Sequence, residues 1–355
     1  MGTEVAPFVH EQLAQRVVFG WDRLNDIANE VDRLSGGRVL LIAERSTRPV
    51  AERVEQALGN RVAASIAPVR PHVPAEDVTT ARELARSRAV DLIVSIGGGS
   101  STGLGKAVAM AGIPLLAIPT TYAGSEMTPI YGITESGRKR TTRDERALPK
   151  TVLYDPALTT SLPPRPTATT GMNAIAHGVE ALYAENRSPL TDLLAAEAIR
   201  LLSRALPDCV EEPSSKSARS TALYGSYLAG TVLAGTGMAL HHRICHVLGG
   251  AFGVAHGDAN AVVLPHVVAF NAPAAPNEIE TVAEALGAGD PAGALFDLAV
   301  SMEAPTALEQ LGVQQSDLDL AATQILEENF YNPRPVDRDG LTELLHHAYE
   351  GRRPD

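Results

Sequence analysis

The segment HHRICHVLGGAFGVAH, residues 241–256, holds four of the ten histidines in the chain. His242 and His246 stand four apart, a spacing that puts two side chains on one face of a helix. His256 follows the bend-forming run GGAFG, which can swing it back toward His242. A second segment, GMNAIAHGVEALY at 171–183, sets Asn173 and His177 at the same spacing. Two polar pairs at helical spacing and a third histidine beyond a bend predict one shared site rather than separate core histidines. His177, His242 and His256 could hold a divalent cation, and such a site usually adds a carboxylate. Position 173, where the carboxylate would stand, is Asn, a neutral and weak ligand. Its neutrality weakens the attraction for a dication and leaves the pocket more positive toward an anion. The helical angle of Cys245 turns it from His242 and His246, so it is expected in the core.

A second chemistry is written in SIGGGSSTGLGKAVA, residues 95–109. An apolar strand, three consecutive glycines and a helix let the backbone approach a phosphate and aim the first helical N–H groups at it. Gly97, Gly98, Gly99 and Ser100 are therefore expected to contact a diphosphate, although the spacing is neither G-x-G-x-x-G nor a Walker A loop. Glu44, at the end of another apolar strand, could accept ribose hydroxyls and repel a 2′-phosphate. Arg45 and Arg48 beside it could do the opposite.

These groups must be positioned by a fold of some size. The chain has 355 residues, enough for two domains. The formal net charge of −12 excludes a broad nucleic-acid-binding surface but permits a local cationic pocket. Two cysteines, Cys209 and Cys245, make no disulfide framework, which suits a cytoplasmic location. No apolar run has the length of a membrane span, and the first residues carry no leader-like apolar core. Strands are expected at 38–44, 89–96 and 113–121, with helical spacing between them, which implies a parallel sheet joined by crossovers. Beyond the Pro- and Thr-rich stretch 155–167 the strand signals fade. Helices are expected at 188–206, capped by Ser188 with Pro189 in the first turn, and at 217–235 and 277–287. The reading is an α/β Rossmann-like nucleotide-binding domain over 1–160 and an all-α domain over 161–355, with the site in the cleft between them.

At this point the chain resembles the iron-containing alcohol dehydrogenases, a family related in fold to dehydroquinate synthase. GGGS at 97–100 with Lys106 matches the phosphate loop of that family. IPTTYAGSE at 118–126 matches its nicotinamide-side loop, which implies that Thr120, Thr121 and Ser125 contact the cofactor. The metal ligands of the family, one Asp and three His, fall on Asn173, His177, His242 and His256, with His246 as the further histidine. Gly103 replaces a common Asp. The stretches 120–135, 139–156, 171–184 and 332–341 are similar to the maleylacetate reductase branch. That resemblance implies NADH- or NADPH-dependent reduction of the C=C bond of maleylacetate, a small dicarboxylate, to 3-oxoadipate in bacterial breakdown of aromatic compounds. It also implies that no metal is required, the Asn173 site being vestigial, and that the histidines act on an anion. His177 and His242 are expected to stabilise charge and deliver the proton, with His246 and His256 shaping the pocket. Tyr122, Lys139, Arg143 and Arg243 are expected to meet the substrate. A homodimer is the expected assembly, with no nucleic-acid or membrane partner. A metal-dependent alcohol or aldehyde reductase, a dehydroquinate-synthase-like lyase and a non-catalytic binding protein are the competing readings.

Overall fold

The computed structural model describes residues 7–135 and 138–355; the side chains of Arg138 and Lys139 lie outside the described residues, and with them the expectation for Lys139. Six strands form one parallel sheet: β1 Arg16–Phe19, β2 Val39–Ala43, β3 Val62–Ile66, β4 Leu92–Gly97, β5 Leu115–Pro119 and β6 Thr151–Tyr154. Their order is β1-β6-β5-β4-β2-β3. Every residue of β2, β4, β5 and β6 is buried. That is why their sequences are continuous apolar runs with no alternation, as expected for strands covered on both faces.

One face is covered by α1 Ile27–Arg33 and α2 Arg48–Leu58, which pack Ile27, Val31, Val54 and Leu58 onto Leu41, Val94 and Leu116. The other face is covered by α3 Ala75–Ser87 and α4 Gly99–Ala109 through Val78, Ala81, Leu104 and Val108. Strand order reverses between β2 and β4, since β3 extends the sheet one way and β5 the other. The crevice outside the carboxyl ends of strands at such a reversal is where parallel α/β sheets bind ligands. Glu44 follows β2 there, Gly97 ends β4, and the loop from Thr120 follows β5. A two-stranded antiparallel hairpin, Ile130–Glu135 with Arg138–Arg143, projects between β5 and β6.

The expected break at 160 falls between β6 and the next helix. From there the chain is helical: α5 Pro164–Leu182, α6 Pro189–Glu211, α7 Lys216–Gly235, α8 Leu240–Phe252, α9 His256–Asn271, α10 Pro276–Leu286, α11 Pro291–Ser301, α12 Leu318–Leu326 and α13 Arg338–Glu350. Ser188 caps α6 by accepting from Thr191 N–H, with Pro189 in the first turn. Buried Ala and Leu from α5, α6 and α7 fill one core, and α8, α9, α12 and α13 enclose another. Among the described residues no helix is long and apolar enough to cross a membrane.

Candidate active site

Helix α5 carries Asn173 and His177 one turn apart, and α8 carries His242 and His246 one turn apart. Gly253, at φ 69°, ends α8 in the left-handed conformation and turns the chain into α9, which begins at His256. The turn brings the four histidines together. The rings of His177 and His242 stack with centroids 4.9 Å apart, His256 lies 6.1 Å from His242, and His246 stacks on His256 at 5.8 Å. His177 and His242 are buried, His256 is half-buried and His246 is exposed, so the cluster runs from the interior outward.

Three buried atoms of this cluster have no hydrogen-bond partner: Asn173 Oδ1, His177 Nδ1 and His242 Nε2. Each unsatisfied buried polar atom costs about 1–3 kcal/mol, and three at one locus mark a place that binds something. Burial, then the charges of His242 and His241, hold His177 well below the usual histidine range, so it is neutral at neutral pH.

Sequence reasoning missed Glu180. It sits on α5, three residues beyond His177, and is completely buried. His242 Nδ1 stands 2.6 Å from Glu180 Oε2, and the His241 backbone N–H donates to Oε1 at 2.8 Å. Burial pushes this carboxyl up, but His242 and then His241 outweigh it, and the group lies below the usual glutamate range. The signal was present in the spacing: positions 173, 177 and 180 make one stripe of a helix.

The four positions that match the family's metal ligands supply three imidazoles and one neutral amide. Among the described residues, the carboxylate and imidazole atoms that gather within 4.8 Å are those of Glu180, His241 and His242. Glu180 spends both oxygens on His242 and on the His241 N–H, and His241 Nε2 faces the Asn260 carbonyl at 3.2 Å. This group is a closed hydrogen-bond network, and its carboxylate backs His242 rather than facing the orphaned atoms. The donor set therefore fits a divalent cation poorly.

The glycine loop fits a nicotinamide dinucleotide, with a division of labour that the sequence did not reveal. Gly98 N–H donates to Glu44 Oε1 at 2.9 Å, and Ser101 N–H and Oγ–H approach the same oxygen at 3.3 and 3.2 Å. A Cβ on Gly97 would lie 2.6 Å from Ser101 Oγ and 2.8 Å from Glu44 Cδ, so this glycine makes room for the carboxylate. Gly99 faces open space and Ser100 is half-buried, which leaves these two at the mouth of the helix. Arg48 pairs with Glu52 on the surface of α2.

The loop after β5 joins this site to the histidines. Thr120 N–H donates to Gly97 O at 3.0 Å, and Thr121 lies over Gly98. Asn173 Nδ2 donates to Ala123 O at 3.3 Å. Gly124, at φ 76°, packs directly on Gly230 of α7, where a Cβ would stand 2.6 Å from Gly124 O. Lys106 is buried and donates to Ser125 O, Thr128 Oγ1 and Ile130 O. Burial pulls its ammonium down to about 7, opposed by Glu126. Lys106 thus holds the segment after β5 from behind, with its donors spent on that segment rather than on a phosphate.

The expected substrate contacts are corrected in two cases. The Tyr122 side chain is completely buried, and its hydroxyl meets Arg219 Nη1 at 3.0 Å. It is a core residue, its phenol pushed up to about 12 by burial. Arg243 turns away from the site, donating to Ile325 O and Gln324 O and pairing with Glu328 at 2.7 Å. Arg143 is exposed on the hairpin and donates to Ala234 O of α7 at 2.9 Å. Cys245 is buried, as expected.

Residues 14–156 match the sequence model of iron-containing alcohol dehydrogenases, and residues 167–349 match the C-terminal model of that family. The chain is 45% identical to a maleylacetate reductase of Burkholderia cepacia over 98% of this chain and 99% of that one. The crystal structure of maleylacetate reductase from Agrobacterium tumefaciens superposes with TM-score 0.94 at 42% identity, covering 98% of this chain and all of that one. A 1,3-propanediol oxidoreductase structure aligns with TM-score 0.90 at 28% identity, over 96% of this chain and all of that one. The chain is an oxidoreductase of the iron-containing alcohol dehydrogenase family and belongs to its maleylacetate reductase branch.

Proposed function

We propose that this enzyme reduces the C=C bond of maleylacetate to give 3-oxoadipate, with NADH as hydride donor and without a metal. The observation that carries the reading is the buried Glu180–His242 pair beside a neutral Asn173. An alcohol dehydrogenase must stabilise a localised alkoxide, which a metal does well. Maleylacetate instead has a C=C conjugated to a ketone, with a carboxylate at each end. A nicotinamide cofactor supplies the hydride when bound. Reduction of the conjugated C=C leaves an enolate, whose spread charge hydrogen-bond donors can hold. With a proton on each nitrogen, His242, backed by Glu180, is the group to donate Nε2–H to the enolate oxygen and pass that proton to the carbon beside the ketone, leaving the neutral ring with Nδ1–H on Glu180. His177, held neutral, supplies polarity at its flank, and His246 and His256 line the way out.

In this reading Gly99 and Ser100 meet the pyrophosphate, while Thr120, Thr121 and Ser125 border the nicotinamide half. Glu44 favours NADH because its second oxygen would repel a 2′-phosphate. Arg143 stays the candidate for a substrate carboxylate, since a guanidinium can grip one with two parallel hydrogen bonds. Residues 1–160 and 161–355 are the nucleotide-binding and helical domains of a cytoplasmic homodimer. The test is loss of NADH absorbance on adding maleylacetate, with and without chelator. No turnover, or turnover abolished by chelation and restored by a dication, overturns the reading.

A further inference from the structure

We propose that Glu180 and His241 together lock His242 into one orientation and one tautomer, with Nδ1–H held inward and Nε2 as the sole nitrogen that exchanges protons with the substrate. The inference deepens the functional reading above and rests on its choice of His242 as the group that faces the substrate.

His241 Nε2 lies 3.2 Å from the Asn260 carbonyl, which can only accept, so Nε2 carries the hydrogen. His241 Nδ1 lies 3.2 Å from His242 Nδ1. Two ring nitrogens at that distance cannot both point a hydrogen at each other, so one of them accepts. Glu180 Oε2 lies 2.6 Å from His242 Nδ1 and is itself an acceptor, so His242 Nδ1 is the donor. It is shared between the carboxylate and the bare Nδ1 of His241. His242 Nε2 then points away from the network, where it is buried and without a partner. Which nitrogen of a histidine carries the proton is set by the bond that the other nitrogen makes.

The second oxygen of Glu180 accepts the His241 backbone N–H at 2.8 Å, in the first turn of α8. Fixing the carboxylate at both oxygens fixes the plane of the His242 ring, and the stack on His177 at 20° follows from it. Glu180 touches neither substrate nor cofactor in this arrangement. It is a positioning residue acting through His242.

The experiment has two arms. A nitrogen-15 spectrum of histidine-labelled wild-type enzyme, with His242 assigned by comparison with His242→Gln, reads the tautomer directly and needs no substrate. Hydrogen on Nδ1 of the neutral His242 ring supports the proposal; hydrogen on Nε2 with a bare Nδ1 overturns it. In the kinetic arm, Glu180→Gln presents an amide N–H to one of the two donors that the carboxylate accepts. It should lower kcat by about 10- to 100-fold, the scale for groups that orient a functional histidine. KM for NADH and maleylacetate should stay within about twofold, and Glu180→Asp should recover part of kcat. A folded Glu180→Gln enzyme with wild-type kcat overturns the proposal. If that variant does not fold, the wild-type spectrum decides. Failure of the wild-type enzyme to turn over maleylacetate sinks the functional reading, and the tautomer measurement still decides the role of Glu180.

Discussion

Asn173 donates its side-chain amide to the carbonyl of Ala123, and so ties the wall of the histidine cluster to the loop that follows β5. A carboxylate at this position could not donate and would face the carbonyl oxygen with its own charge. Asn173→Asp is therefore expected to raise the NADH KM several-fold in metal-free buffer. The same variant should retain more zinc after dialysis, because the charged ligand is restored. Steady-state kinetics and metal analysis of the dialysed protein check both halves. An unchanged KM with unchanged zinc removes the argument.

Wild-type activity is expected to persist in excess EDTA, since the orphaned atoms belong to two imidazoles and an amide and the one carboxylate in the cluster is spent on His242 and the His241 N–H. Turnover that dies with chelation and returns with iron or zinc would contradict it.

Replacing His242 by Ala should lower kcat by roughly 10²-fold or more, the usual scale for a general acid. NADH binding, followed by fluorescence, should stay near the wild-type value. His177→Ala should cost less, because burial keeps His177 neutral and it cannot be the proton source. Equal losses in the two variants would argue for a shared role.

Gly98 has φ −93°, so a larger residue there meets no backbone strain. A Cβ would stand 3.0 Å from Thr121 Cγ2, and the rest of a valine would press on the loop. Gly98→Val should raise the NADH KM by about tenfold, equivalent to about 1.4 kcal/mol of binding, with the fold intact by circular dichroism. A wild-type KM in the folded variant would move the cofactor elsewhere.

Lys106→Met should leave Ile130 O without the Lys106 donor, while Ser125 O keeps the Thr128 N–H and Oγ–H. A loss of about 1–3 kcal/mol of stability is expected from the one unsatisfied acceptor, with a higher NADH KM as the loop loosens. Urea unfolding and cofactor titration measure the two effects.

Much of this arrangement was legible in the sequence, for identifiable reasons. β2, β4 and β5 are apolar but for Ser95 because both faces are covered, and α6 announces itself through Ser188 and Pro189. The histidines could be grouped because helical spacing and the GGAFG turn act over short distances. β1 was not legible: it has one exposed and three half-buried residues and, among the described residues, pairs only with β6, more than a hundred positions away. Tyr122 and Arg243 stand beside the right residues in sequence, yet their directions are set by Arg219 and by the end of α12, which no local pattern reports. Glu180 reads locally as one more polar position on a helix, and its partner comes from α8.

The bare contact between Gly124 and Gly230 bears on how this enzyme can be recombined. Backbone meets backbone there, with no side chain to absorb a mismatch. The nucleotide half and the helical half are thus not free modules: a chimera with the helical half of a relative inherits whatever stands opposite position 124. If that residue carries a β-carbon, the loop must lift, and with it the tether to Asn173 and the Lys106 bonds. Exchange points set inside the 155–163 connection should give active hybrids only when the incoming helical half also has a glycine at the position of Gly230.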